Sequence, residues 1–209
     1  MQHYPAESAA ARDAALLVLA HGAGAGERHP FMVAVARGLA ERGIDVVTFE
    51  FPYMQQKRRA PDKAPVLESA FRDAIVEARS RVTPRHALFI GGKSMGGRMA
   101  THLAAQGYDG LRGVVALGYP LHPPGKADQL RVAHLPSIEV AVLIVQGERD
   151  AFGTPDELRP IVKTMHAPVT LHVVGGGDHS LAVPKSSGVA QKEVYATVLD
   201  AVAAWIYSV

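Results

Sequence analysis

Along the chain, short continuous apolar runs alternate with longer stretches in which apolar residues recur three and four positions apart. Runs of about four to eight apolar residues bounded by turn chemistry read as strands buried on both faces of a parallel sheet. They fall at 14–20, 44–51, 87–90, 114–117, 140–145 and 169–174. Helical spacing fills the intervals. It covers 31–42, with Met32, Val35 and Leu39 on one stripe, and 66–82, with Leu67, Ala70, Phe71, Ala74, Ile75 and Ala78 inward and Glu68, Arg72, Asp73 and Glu77 outward. A further helix follows residue 94 and ends at Gly107, and the last, 188–206, turns Val194, Val198, Leu199, Val202 and Ile206 to the sheet. Thr154, Pro155 and Glu157 predict a capping box, and 127–134 has room for one short helix. Six strands alternating with helices predict a three-layer α/β/α sandwich on a mainly parallel sheet. We read 1–209 as a single domain, with 1–13 as a surface lead-in and no insertion long enough for a lid.

In such a sheet, ligands bind beyond the carboxyl ends of the strands, and three of those ends carry chemistry. The third strand leads into Gly92, Ser94 and Gly96, a G-x-S-x-G nucleophile elbow at a strand-to-helix turn. The fifth ends before Asp150, and the sixth before His179. A neutral serine hydroxyl is a weak nucleophile, so His179 is needed to take and return its proton, and Asp150 to orient the imidazole and balance its charge. Glu148 and Asp178 are rival carboxylates: the first lies nearer the strand end, the second adjoins His179 in sequence. The loop after the first strand is built from His21, Gly22, Ala23, Gly24, Ala25 and Gly26. Its small residues suit an oxyanion hole made by the backbone N–H of Ala23, or of Gly24, with that of Met95. It is not a dinucleotide fingerprint, because the third glycine would stand at residue 27, which is Glu27.

Composition narrows the chemistry further. The 209 residues contain no cysteine, which removes disulfides, thiolate metal sites and a cysteine nucleophile. A net charge of +2 without a long basic run gives no reason to expect nucleic acid. The first apolar run is too short to span a membrane, so a cytoplasmic protein is the default expectation. No metal or cofactor is called for, the oligomeric state is not legible, and the expected partner is a small-molecule ester. With no lid, the site is expected to be shallow, walled by 22–30, 53–65 and 119–126, and suited to short esters. Candidate rim residues are His21, Tyr53, Lys93 and His122. The cluster Lys57, Arg58 and Arg59 lies on the same edge, either to recruit an anion or as a solvated face.

The motifs around His21–Gly24, Gly92–Gly97, Gly147–Asp150 and Gly177–His179 resemble those of small lidless α/β-hydrolases of the dienelactone-hydrolase-like, predicted-hydrolase type. The resemblance runs from about residue 14 to 206. It implies the Ser, Asp, His order of that fold, its six central parallel strands without two leading antiparallel ones, and esterase-like chemistry. Dienelactone hydrolases proper use cysteine where this chain has Ser94, so the resemblance implies a serine hydrolase and does not carry lactone chemistry with it. Two alternatives stay open. Some relatives are subunits of chromatin complexes, which leaves room for a non-catalytic protein-binding module, and the same triad serves thioesterases and small peptidases or amidases.

Overall fold

The computed structural model describes residues 1–7 and 14–209. Its strands are β1 (Gln2–Tyr4), β2 (Ala15–Ala20), β3 (Ile44–Phe49), β4 (Ala87–Lys93), β5 (Leu111–Leu117), β6 (Ala141–Gly147) and β7 (Val169–Val174). They form one sheet in the order β1-β3-β2-β4-β5-β6-β7, parallel except for β1, which runs antiparallel to β3. The helices are α1 (Pro30–Ala40), α2 (Pro52–Gln55), α3 (Ala64–Arg79), α4 (Met95–Ala105), α5 (Pro155–Val162) and α6 (Gln191–Ser208).

The period of two along each strand divides the core into two layers. Leu16, Val18 and Ala20 of β2 join Ile90 of β4 and Ala116 of β5 against Phe71 of α3 and Met99 and Leu103 of α4. On the opposite face Leu17 and Leu19 of β2, Phe89 of β4 and Leu143 of β6 meet Met32 and Leu39 of α1 and Val202 and Trp205 of α6. Both faces of the central strands are buried, which is why their sequence is continuously apolar instead of alternating. Thr154 and Glu157 exchange both hydrogen bonds of the expected capping box at the start of α5.

Four features differ from the sequence reading. A seventh strand, β1, pairs with the edge of β3, and His3 Nε2 reaches Asp45 Oδ1 at 2.8 Å; the rest of the expected lead-in, 8–13, lies outside the described residues. Segment 127–134 has no helix, only turns followed by one 3-10 turn at Leu135–Ser137. The stretch expected as a loop from Tyr53 opens with the short helix α2. Glu68, expected to face outward, is buried against α4, where it accepts hydrogen bonds from His102 Nδ1 at 3.0 Å and Gln106 Nε2 at 2.9 Å. Two polar partners on the neighbouring helix let a carboxylate occupy that position.

Candidate active site

Ser94 sits between β4 and α4 with φ 50° and ψ −113°, a conformation that L residues rarely adopt. Its N–H donates to Leu117 O at 2.9 Å, which ties the elbow to the end of β5. The flanking glycines are there for space. A Cβ on Gly92 would stand 2.5 Å from Ala20 O, and one on Gly96 would strike the carbonyls of Ala20 and His21. The elbow therefore packs directly on the end of β2, and the loop after β2 lies beside Ser94.

Three strand ends bring the candidate triad together. His179 Nε2 lies 2.8 Å from Ser94 Oγ, and His179 Nδ1 lies 2.8 and 3.0 Å from the two oxygens of Asp150. The Asp150 side chain is fully buried and takes two further hydrogen bonds, from Gln146 Nε2 at 2.9 Å and Phe152 N at 2.8 Å. A carboxylate only accepts, so Nδ1 carries the proton and Nε2 offers its lone pair to the serine. Phe152 stacks on the imidazole at 4.1 Å between ring centroids, covering one face of it. The rival acids are engaged elsewhere. Glu148 accepts from Gly176 N at 2.6 Å, and Asp178 from Ser180 N at 2.7 Å and Ala182 N at 3.0 Å, shaping the loop that carries His179.

Ser94 and His179 open onto a cavity of about 820 Å³, a volume within the ordinary range for small-molecule sites. Its walls include Ala23, Ala25, Pro61 and Pro120 from the three expected loops, but also Phe31 and Met32 of α1 and Tyr195 of α6, so the site is larger than a shallow rim of loops. Ala23 and Met95 line it beside Ser94, whereas Gly24 does not. Met95 opens α4, so its N–H has no intrahelical acceptor and stays available to a ligand.

Of the four expected rim residues, only Lys93 lines the cavity. His21 is buried; its Nδ1 bonds Gly22 O at 2.8 Å and its Nε2 accepts from Phe51 N at 3.1 Å, a neutral brace between the ends of β2 and β3 whose pKa burial lowers. Tyr53 is buried against it, with ring centroids 6.0 Å apart. His122 is buried too, bonded to Pro123 O at 2.9 Å and facing Glu157 Oε1 at 3.2 Å. Lys57, Arg58 and Arg59 are exposed and do not line the cavity, although Arg58 pairs at 2.6 Å with Asp62, which does.

A family model described as an alpha/beta hydrolase domain matches residues 13–207. The chain belongs to that family. Among solved structures, this hydrolase domain superposes on a dienelactone hydrolase from Anabaena variabilis at TM-score 0.71 and 16% identity, covering 94% of this chain and 87% of that one. It matches Est1E from Butyrivibrio proteoclasticus, solved with ferulic acid bound, at TM-score 0.70 and 14% identity, covering 97% and 95%. A monoacylglycerol lipase from Paleococcus ferrophilus gives TM-score 0.70 and 16% identity over 94% and 96%. At these identities the likeness is one of fold. No helix of the described residues is long and apolar enough to cross a membrane.

The hydrolase domain holds its histidine loop with an unusual cation. Lys93, directly before Ser94, donates from Nζ to His179 O at 2.5 Å, and burial lowers its pKa to about 8, with Asp150 and Asp178 opposing the shift. Because the folded pKa is depressed below 10.5, burial of the charged form costs stability in full below about pH 8, and the cost disappears as pH rises to 10.5. The difference in unfolding free energy between wild type and Lys93→Met is therefore expected to shift in favour of wild type by up to about 3 kcal/mol between pH 7.5 and 10.5, as read from urea midpoints. A flat difference across that range would remove the buried cation from the account. Sequence reasoning passed over four side chains near the centre: Gln146, Phe152, Arg98 and Arg131. Arg98 alone left a signal, one helical turn after the candidate nucleophile.

Proposed function

We propose that the protein is a serine hydrolase that cleaves small carboxylic esters through an acyl-Ser94 intermediate. The observation that carries this reading is the run of short contacts from Ser94 Oγ through His179 to buried Asp150, opening on a cavity. The family, and neighbours named as an esterase domain and a monoacylglycerol lipase, favour an ester as the substrate.

In this mechanism, Ser94 Oγ attacks the ester carbonyl while its proton passes to His179 Nε2. The carbonyl electron pair moves to oxygen, and the N–H groups of Ala23 and Met95 stabilise the oxyanion. Collapse breaks the bond to the alcohol oxygen, which takes the proton from Nε2, leaving Ser94 acylated. Water repeats the cycle in reverse order of groups: its proton goes to Nε2, its oxygen attacks the acyl carbon, and Ser94 leaves with the proton as the acid is released. Asp150 stabilises the imidazolium in both halves without taking the proton. Phe152 and Gln146 are positioning residues, the first through the His179 ring and the second through Asp150.

The direct test is a fluorophosphonate probe, which reacts with an activated serine and needs no knowledge of the substrate. Labelling is expected at Ser94 and is expected to vanish in His179→Ala. Folded protein that takes no label, and hydrolyses nothing in a panel of esters, thioesters and amides, would replace this reading with that of a binding module. Turnover of thioesters or amides above esters would reassign the substrate bond while keeping the mechanism.

A further inference from the structure

Two guanidinium groups share the cavity with Ser94 and have no acidic partner among the described residues. Arg98 stands one turn along α4, its N–H bonded to Ser94 O at 3.0 Å, so its side chain leaves the helix on the nucleophile's side. It makes no ion pair with any described residue, and its Nε is buried without a hydrogen-bond partner. Arg131 approaches from the irregular segment after β5. Its backbone is fixed there, with its N–H donating to Leu121 O at 2.8 Å and its O accepting from Tyr119 Oη at 2.7 Å. Among the described residues its guanidinium has one long hydrogen bond, 3.5 Å, to Pro120 O.

The surroundings do not neutralise this pair. The Arg98 pKa is lowered first by burial and then by the charge of Arg131, with only Tyr119 opposing. Tyr119 is itself held neutral, its pKa raised by burial. The neighbouring His134 is kept neutral. Its pKa falls to about 4, through burial first and then the charges of His102 and Arg98. One acid does line the cavity, Asp62. Its Oδ1 is taken by Arg58, its Oδ2 is buried without a partner, and it is not among the charges acting on Arg98. Two half-buried cations facing one cavity, with a buried donor left unmade, are costly in isolation. A bound oxyanion would satisfy them, and a guanidinium fork fits a carboxylate or phosphate by paired hydrogen bonds.

We propose that Arg98 and Arg131 form a subsite for an oxyanion group of the substrate, so that the preferred ester carries a carboxylate or phosphate a few bonds from the reacting carbonyl. The proposal rests on the serine hydrolase reading for the reaction, but not for the binding. One helical turn, about 5.4 Å along the axis, separates Arg98 from the nucleophile, which suits a hemiester of a short dicarboxylic acid or a short phosphorylated alcohol ester.

The test compares monoethyl glutarate with diethyl glutarate, and the acetate ester of ethylene glycol phosphate with that of ethylene glycol. Proton release by wild type, Arg98→Met and Arg131→Met is followed in a pH-stat. Wild type is expected to favour the anionic member of at least one pair by tenfold or more in kcat/KM, and each variant to lower that ratio at least tenfold, mainly through KM. The pair that shows the preference identifies the oxyanion as carboxylate or phosphate. A ratio near one in wild type, or one that neither folded variant changes, overturns the subsite. Calorimetry on Ser94→Ala reads binding without turnover. Saturable binding of an anionic ester, lost on adding Arg98→Met, supports the subsite even if wild-type Ser94 takes no fluorophosphonate label and the protein hydrolyses no ester, thioester or amide of the panel, a combination that would overturn the hydrolase reading alone. Labelled Ser94 with no binding of either anionic ester at millimolar concentration overturns the subsite alone.

Discussion

Ser94→Ala is expected to lower kcat on an activated aryl ester by about 10⁴-fold or more, corresponding to roughly 5 kcal/mol of lost transition-state stabilisation. KM should stay close to that of wild type, because the cavity walls and the N–H groups of Ala23 and Met95 are untouched. The fold should survive. Alanine meets the same backbone constraint at φ 50° as serine, and among the described residues the side-chain hydrogen bond of Ser94 Oγ is to His179. A companion variant separates strain from chemistry: Ser94→Gly should be equally inactive yet gain about 1 kcal/mol of stability, since glycine occupies positive φ without the Cβ penalty. Retention of more than a tenth of wild-type kcat by Ser94→Ala would remove this residue from the nucleophile's role.

Asp150→Asn should cost about as much, roughly 10⁴-fold in kcat, by a different route. Each carboxylate oxygen already receives a protein donor, Phe152 N on Oδ1 and Gln146 Nε2 on Oδ2, besides the imidazole N–H. An amide placed there must set its NH₂ against one of those donors whichever way it turns. If it instead donates to His179 Nδ1, the imidazole proton moves to Nε2, and the lone pair that receives the Ser94 proton is lost. A lower Tm is expected as well, because the conflict is buried. The decisive readings are a single-turnover rate and fluorophosphonate labelling, both of which should fall together. An Asn variant that labels at the wild-type rate would show that Asp150 does not orient the base.

The core of the fold was legible because burial on both faces of a strand demands an unbroken apolar run, and the segments of β2, β4, β5 and β6 meet that demand. The triad candidates were legible for a related reason. A parallel sheet gathers all its carboxyl ends on one edge, so residues just past β4, β6 and β7 converge whatever the details of packing. Chain position favoured Asp150 over Glu148, which lies nearer the strand end, and over Asp178, which adjoins His179 in sequence. The structure brings Asp150 Oδ2 within 2.8 Å of His179 Nδ1, while Glu148 and Asp178 accept from backbone N–H groups of the β7 loop.

The rim shows where pattern reading fails. His21, Tyr53 and His122 follow strands, so their backbones stand at the right edge, but side-chain direction at a turn is set by packing. His21 turns inward to bridge Gly22 and Phe51, and Tyr53 packs behind it. Strand β1 left no signal because its three half-exposed residues carry no periodicity, and it exists through backbone pairing with β3 and the contact of His3 with Asp45. Glu68 was misplaced because helical phase says which side faces a neighbour but not whether that neighbour offers hydrogen-bond partners.

The sequence by itself determined the layered α/β architecture, the glycine-flanked serine at a strand-to-helix turn and the order in which an acid and a histidine follow it, since these depend on local spacing and on the polarity of a parallel sheet. Tertiary structure alone decided which side chains line the cavity, and that Arg98 and Arg131 share it with Ser94 without an ion pair to any described residue. Those outcomes depend on side-chain direction and on contacts between residues far apart in the chain. Charge compensation is a property of the assembled neighbourhood, and no periodicity along the chain encodes it.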